Sequence, residues 1–133
     1  MSKMVGDFSL PVPNKTSQLE NDSHFTSVKE YTLSYTSLSD TSTYAITDLP
    51  VGKKLVKTEV IVNTAFVTST QGNLSITGDN SAVILNQGYN DPNVVGNYIN
   101  DCNYTVTANG VTVNHNLGSA TAGSLVLRLH LID

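Results

Sequence analysis

The stretch Ser124 to Ile132, Ser-Leu-Val-Leu-Arg-Leu-His-Leu-Ile, constrains the fold of this chain more than any other. Successive side chains of a β-strand point to opposite faces. As a strand, this segment puts Leu125, Leu127, Leu129 and Leu131 on one face and Val126, Arg128, His130 and Ile132 on the other. The leucine face must be buried against a second apolar layer. The second face is partly apolar at Val126 and Ile132, which points to oligomer or partner contact there.

The rest of the chain agrees with a sheet. The 133 residues make one domain, and charged residues are only 14% of them, well below the usual quarter. Asn, Ser and Thr fill a third of the positions and Val alone takes 15. Such a chain favours strands and turns and argues against an all-α fold.

Period-two patterns recur from residue 28 onward. Tyr31, Leu33 and Tyr35 share one direction, against Glu30, Thr32 and Ser34. Tyr44 and Ile46 mark a short strand closed by Asp48-Leu-Pro-Val-Gly, where Pro50 and Gly52 predict a turn. The longest strand runs over 55–66, with Val56, Thr58, Val60, Val62 and Thr64 on one face and Lys57, Glu59 and Asn63 on the other. Leu74 and Ile76 form a strand stopped by Gly78-Asp79-Asn80. The run 82–85 reads as either a buried strand or a short helical turn. Residues 86–101 have the composition of a loop. Tyr104 and Val106 start the next strand, and Asn109-Gly110 predicts a type I′ hairpin returning through Val111 and Val113. The expected fold is all-β: an antiparallel β-sandwich or jelly-roll-like domain of about eight strands.

Residues 1–27 differ. Their apolar residues are sparse, and Pro11 and Pro13 forbid a regular helix around Val12. The division expected is an extended N-terminal arm over 1–27, ordered against a partner or else a floppy terminus, followed by the β-sandwich over 28–133. Phe8, Leu10 and Val12 are the arm's apolar anchors for partner contact. The segment does not read as a signal peptide, and no apolar run approaches the roughly 18 residues that span a bilayer. Matches to the N-glycosylation pattern are discounted accordingly.

Chemistry is sparse. The net charge is −4 and Arg128 is the only arginine, so a nucleic-acid interface is not expected. Lys53, Lys54 and Lys57 read as a solvated turn and strand start. Cys102 stands alone, which favours a reducing compartment and a half-buried bystander over a nucleophile. His24, His115 and His130 lack metal-ligand spacing. Asp79, Asp91 and Asp101 fall among Gly and Asn, where turn chemistry outweighs a calcium site. An enzyme would need two of these histidines and aspartates to converge in one cleft. No cofactor is expected. Tyr89 and Tyr98 are the one pair suited to stacking against a sugar.

Residues 48–66, Asp-Leu-Pro-Val-Gly-Lys-Lys-Leu-Val-Lys-Thr-Glu-Val-Ile-Val-Asn-Thr-Ala-Phe, are similar to a segment of small virion proteins of tailed bacteriophages. The likeness continues through Leu74-Ser-Ile-Thr-Gly-Asp, Gly96-Asn97-Tyr98 and Thr121-Ala122-Gly123 before the final strand. It covers roughly residues 44–132 and leaves the arm unmatched. The resemblance implies a non-enzymatic capsid cement or decoration protein, a homotrimer bound to the major capsid protein. Such a protein acts in the virion after assembly in the host cytoplasm, with no nucleic-acid or membrane partner. The alternative it implies is a tail or receptor-binding component that recognises a host surface glycan, with Tyr89 and Tyr98 as contacts.

Overall fold

The computed structural model describes residues 27–133. The expected arm contacts Phe8, Leu10 and Val12, with His24, lie outside the described residues.

Eight strands form two four-stranded antiparallel sheets. They are β1 (Ser27–Ser34), β2 (Thr43–Ile46), β3 (Lys54–Thr64), β4 (Leu74–Thr77), β5 (Val83–Leu85), β6 (Gly96–Thr105), β7 (Val111–His115) and β8 (Ser124–Ile132). The first sheet has the order β1-β8-β3-β6 and the second β2-β7-β4-β5. The first strand pairs with the last, β2 with β7, β3 with β6 and β4 with β5. The chain is therefore one long antiparallel ribbon, folded back at β4–β5 and rolled so that its two legs meet again as β3–β8 and β4–β7. That winding is a jelly roll.

β8 is the spine of the first sheet. Its four leucines are fully buried, as the alternation requires. Leu125 faces Leu33 and Val62 in register, and Leu127 faces Tyr31 and Val60. Ile46, Leu74, Ile76, Leu85, Val111 and Val113 meet them from the second sheet. Residues in the connections complete the core: Leu38, Leu49, Phe66 and Leu117 are all buried.

Several details depart from the sequence reading. A bulge between Leu55 and Lys57 shifts the β3 register against both neighbours, so Leu55 takes the core face with Thr58, Val60 and Val62 in place of Val56. Thr64 is exposed, and Tyr35 lies beyond the end of β1 and is 39% exposed. Residues 96–101, expected as loop, are the first half of β6, an edge strand whose ladder to β3 overrides the turn preference of Asn97, Asn100 and Asp101. Asn109-Gly110 does not close a hairpin. β6 and β7 lie in different sheets, and the turn carries the chain across the sandwich. Gly110 N donates to Thr107 O at 3.0 Å, which makes Ala108 and Asn109 the central residues of the turn, and the positive φ (+69) falls on Gly110 at its last position and not on Asn109. A Cβ there would meet Ile46 O at 2.0 Å, so the position requires glycine. The run 82–85 takes the strand alternative: Val83–Leu85 is the short β5, with Val83 exposed and Ile84 and Leu85 buried, and a 3₁₀ turn at Asp79–Ser81 precedes it.

The two Thr-Ala motifs of the resemblance come together. Thr64-Ala65-Phe66 begins on the last residue of β3 and Thr121-Ala122-Gly123 precedes β8. Val67 N donates to Ala122 O at 3.1 Å and Thr121 N to Val67 O at 3.1 Å. The Phe66 ring lies on Gly123, whose φ is +132.

Candidate functional surfaces

Two features stand out from a chain of few charges: a polar groove and a charged row on the outside of the first sheet.

The groove lies where the segment leading into β4 meets the loop between β5 and β6. Gln71, Asn73, Gln87, Tyr89, Asp91 and Tyr98 help to line its volume of about 570 Å³. Local hydrogen bonds fix that loop. Asn86 caps the 3₁₀ turn Gln87–Tyr89 by accepting from Gly88 N at 2.8 Å. Asn90 Nδ2 donates to Leu74 O at 2.9 Å and Asn100 Nδ2 to Tyr89 O at 3.2 Å. Tyr98 OH donates to Val94 O at 2.9 Å. Burial, with Asp91 nearby, raises the Tyr98 phenol above its ordinary range and keeps it a donor. Tyr89 is 65% exposed. The two tyrosines singled out in sequence thus share one wall system.

On the outer face of the first sheet, β1, β8 and β3 bring Glu30, Arg128 and Glu59 side by side in register. Glu59 is only 8% exposed although it faces outward. Its Oε1 accepts from His130 Nε2 at 2.7 Å, and Arg128 Nη1 stands 3.5 Å away. Arg128 Nε lies 3.0 Å from Glu30 Oε2, an ion pair without hydrogen-bond alignment at Nε. The His130 hydrogen bond, followed by the Arg128 charge, holds the Glu59 carboxyl below its ordinary pKa against the opposing effect of burial. Val28 and Ile99 flank this row and are exposed, while Val126, Ile61 and Ile132 are half-buried.

The other sequence candidates are scattered. His115 is buried, accepts from Leu117 N at its Nδ1 (3.0 Å) and contacts Thr41 Oγ1 through Nε2 at 3.3 Å. Asp79 accepts from Thr107 Oγ1 and Asn109 Nδ2, and Asp91 from Gln71 Nε2 and Asn93 N, so both serve as loop anchors. Asp101 sits on β6 opposite Lys57. Lys53 pairs with Asp133. Among the described residues no group of three or more His, Cys, Asp and Glu is placed to hold a metal ion. Cys102 Sγ donates to Leu55 O at 3.4 Å, and burial followed by the Asp101 charge pushes its thiol up to about 11. A thiol so held stays protonated at neutral pH. Gln71, Asn73, Gln87 and the buried Glu59 carried no local signal in the sequence; they gain meaning only through winding and register. No helix among the described residues is long and apolar enough to cross a membrane.

No protein-family model matches the chain, and no curated protein matches it. Among solved structures it is similar to a chain in the acid-stable capsid structure of Helicobacter pylori bacteriophage KHP30, at 16% identity and a TM-score of 0.53. The match covers 80% of this chain and 86% of the other, so the two are of comparable length. The likeness is one of fold.

Proposed function

We propose that this chain is a non-enzymatic bacteriophage structural protein: a cement or decoration protein that stabilises the head by bridging subunits of the major capsid protein. The observation that carries this reading is the two-way coverage between this jelly roll and a chain of similar size in a phage capsid.

The physics suits the role. A shell under internal DNA pressure fails where subunits separate, and a small domain seated across such a joint adds buried area there. A homotrimer presents the same contact three times, so avidity multiplies contacts that are weak singly. The chain enters the sandwich at Ser27, the start of edge strand β1. In this reading the segment that precedes Ser27 supplies the partner contacts, with Phe8, Leu10 and Val12 as its apolar anchors against a neighbouring sheet edge. The protein then belongs to the virion, assembled in the host cytoplasm, with no cofactor.

Electron microscopy of purified virions tests the reading. Many ordered copies at local symmetry axes of the head are expected, and deletion of residues 1–13 should lower their occupancy. A handful of copies at the tail would favour the rival reading, a tail or receptor-binding component that recognises a host surface glycan. Absence from any particle would overturn both. Unchanged occupancy after the deletion would remove the arm from the mechanism.

A further inference from the structure

The groove beside Tyr89 does not end at its own rim. Asn73 and Gln87 are shared with a second depression of about 220 Å³ that continues over Ser75, Asn114 and Asn116. Gln71 is shared with a third of about 430 Å³ bounded by Val67, Thr68 and Thr70. The three form one trough running across the start of β4.

The chemistry of its walls selects a ligand class. Amide side chains dominate, and each both donates and accepts hydrogen bonds, as a ligand rich in hydroxyls requires. The amide oxygens of Asn73 and Asn90 are buried beneath these walls without a hydrogen-bond partner among the described residues, so the exposed amides of Gln71 and Gln87 are the groups a ligand meets first. Among the described residues Asp91 is the one carboxylate in the walls, and no Lys or Arg lines any of the three depressions. An anionic ligand would meet an uncompensated carboxylate, and a nucleic acid would find no phosphate partner. Tyr89 and Tyr98 supply aromatic surface for the C–H face of a pyranose. The loop that carries Tyr89 is already tied down by Asn86, Asn90 and Asn100, so little ordering remains to be done on binding.

From these observations we infer that the trough is a binding site for a neutral oligosaccharide, with Tyr89 as its stacking platform and Gln71, Asn73 and Gln87 as its hydroxyl partners. A single sugar ring occupies the central groove, and the depressions on either side take its neighbours. The inference does not rest on the capsid assignment. A head protein and a tail protein can each carry such a trough, and a failure here leaves the location of the protein on a virion untouched.

The test is an amide NMR titration of the full-length chain with cellotetraose, maltotetraose and chitotetraose, their monosaccharides, and N-acetylneuraminic acid as the anionic control. At least one tetrasaccharide should produce saturable shifts at Gln71, Gln87 and Tyr89, with its monosaccharide binding more weakly. Tyr89→Ala should weaken that binding about tenfold. Gln87→Ala, at an exposed position, serves as a second variant and should weaken it as well. Three outcomes overturn the inference: no saturable shift at these residues with any neutral tetrasaccharide, shifts that survive both substitutions unchanged, or shifts with N-acetylneuraminic acid alone.

Discussion

Two adjacent residues of β3 illustrate how burial and partnership separate. Thr58 faces the core opposite Leu129, is fully buried, and its hydroxyl has no partner among the described residues. Glu59 faces the other way, is nearly as buried, and is satisfied by His130. An unpaired buried hydroxyl is a cost that an isosteric methyl removes. Thr58→Val should therefore stabilise the protein by about 1 kcal/mol, raising Tm by about 4 °C in a domain of this size. Thermal denaturation checks it, and a lower Tm would mean that the hydroxyl is satisfied in solution. The facing of Thr58 was legible from period two alone. The burial of Glu59 was not, because it depends on the two strands that flank β3 and not on β3 itself.

At the scale of elements, the contact between Phe66 and Gly123 ties the exit of β3 to the entry of β8. A Cβ on residue 123 would stand 2.4 Å from Phe66 Cγ, in a backbone conformation that side chains rarely adopt. Gly123→Ala should cost about 2–4 kcal/mol, read as a lower urea midpoint. A smaller loss would mean that the Phe66 ring moves aside easily. Both motifs were visible in the sequence, but nothing in it said that they touch. The same limit governed the other elements. β8 was fully legible, because leucine on every second residue leaves no other regular solution. The start of β6 was not, because Asn97, Asn100 and Asp101 are turn formers held in a ladder by β3. Asn109-Gly110 was recognised as a turn, yet whether a turn joins paired strands or crosses between sheets is a property of the winding. The candidate groove was half legible for this reason: Tyr89 and Tyr98 are near in sequence, whereas Gln71 and Asn73 arrive from another segment.

For the whole molecule, two buried groups make stability fall with acid, at different pH. Burial lowers the His115 pKa from its ordinary 6.5, so the unfolded chain takes up a proton that the folded one resists. That contribution is present above about pH 6.5 and is lost as pH falls through the lowered value. The Glu59 pKa is lowered from its ordinary 4.5, chiefly by His130, so its contribution is present above pH 4.5 and is lost below. Melting curves from pH 8 to pH 3 should show Tm declining in these two stages. His115→Gln should flatten the first and Glu59→Gln the second. A single decline, unchanged by either substitution, would assign acid sensitivity to other groups.

The nesting of first strand on last has a mechanical consequence. Ser27 stands opposite Leu131, so the two ends of the described chain leave the same end of the same sheet. The ladder bonds between antiparallel strands run perpendicular to them. Tension applied through these two ends loads the β1–β8 seam one bond at a time, as in a zipper. The same tension applied along β3, which is held by β8 on one side and β6 on the other, would have to shear two ladders at once. The sandwich is weak along one seam and strong across it, so any load it carries is best taken through the sheet and not through its ends.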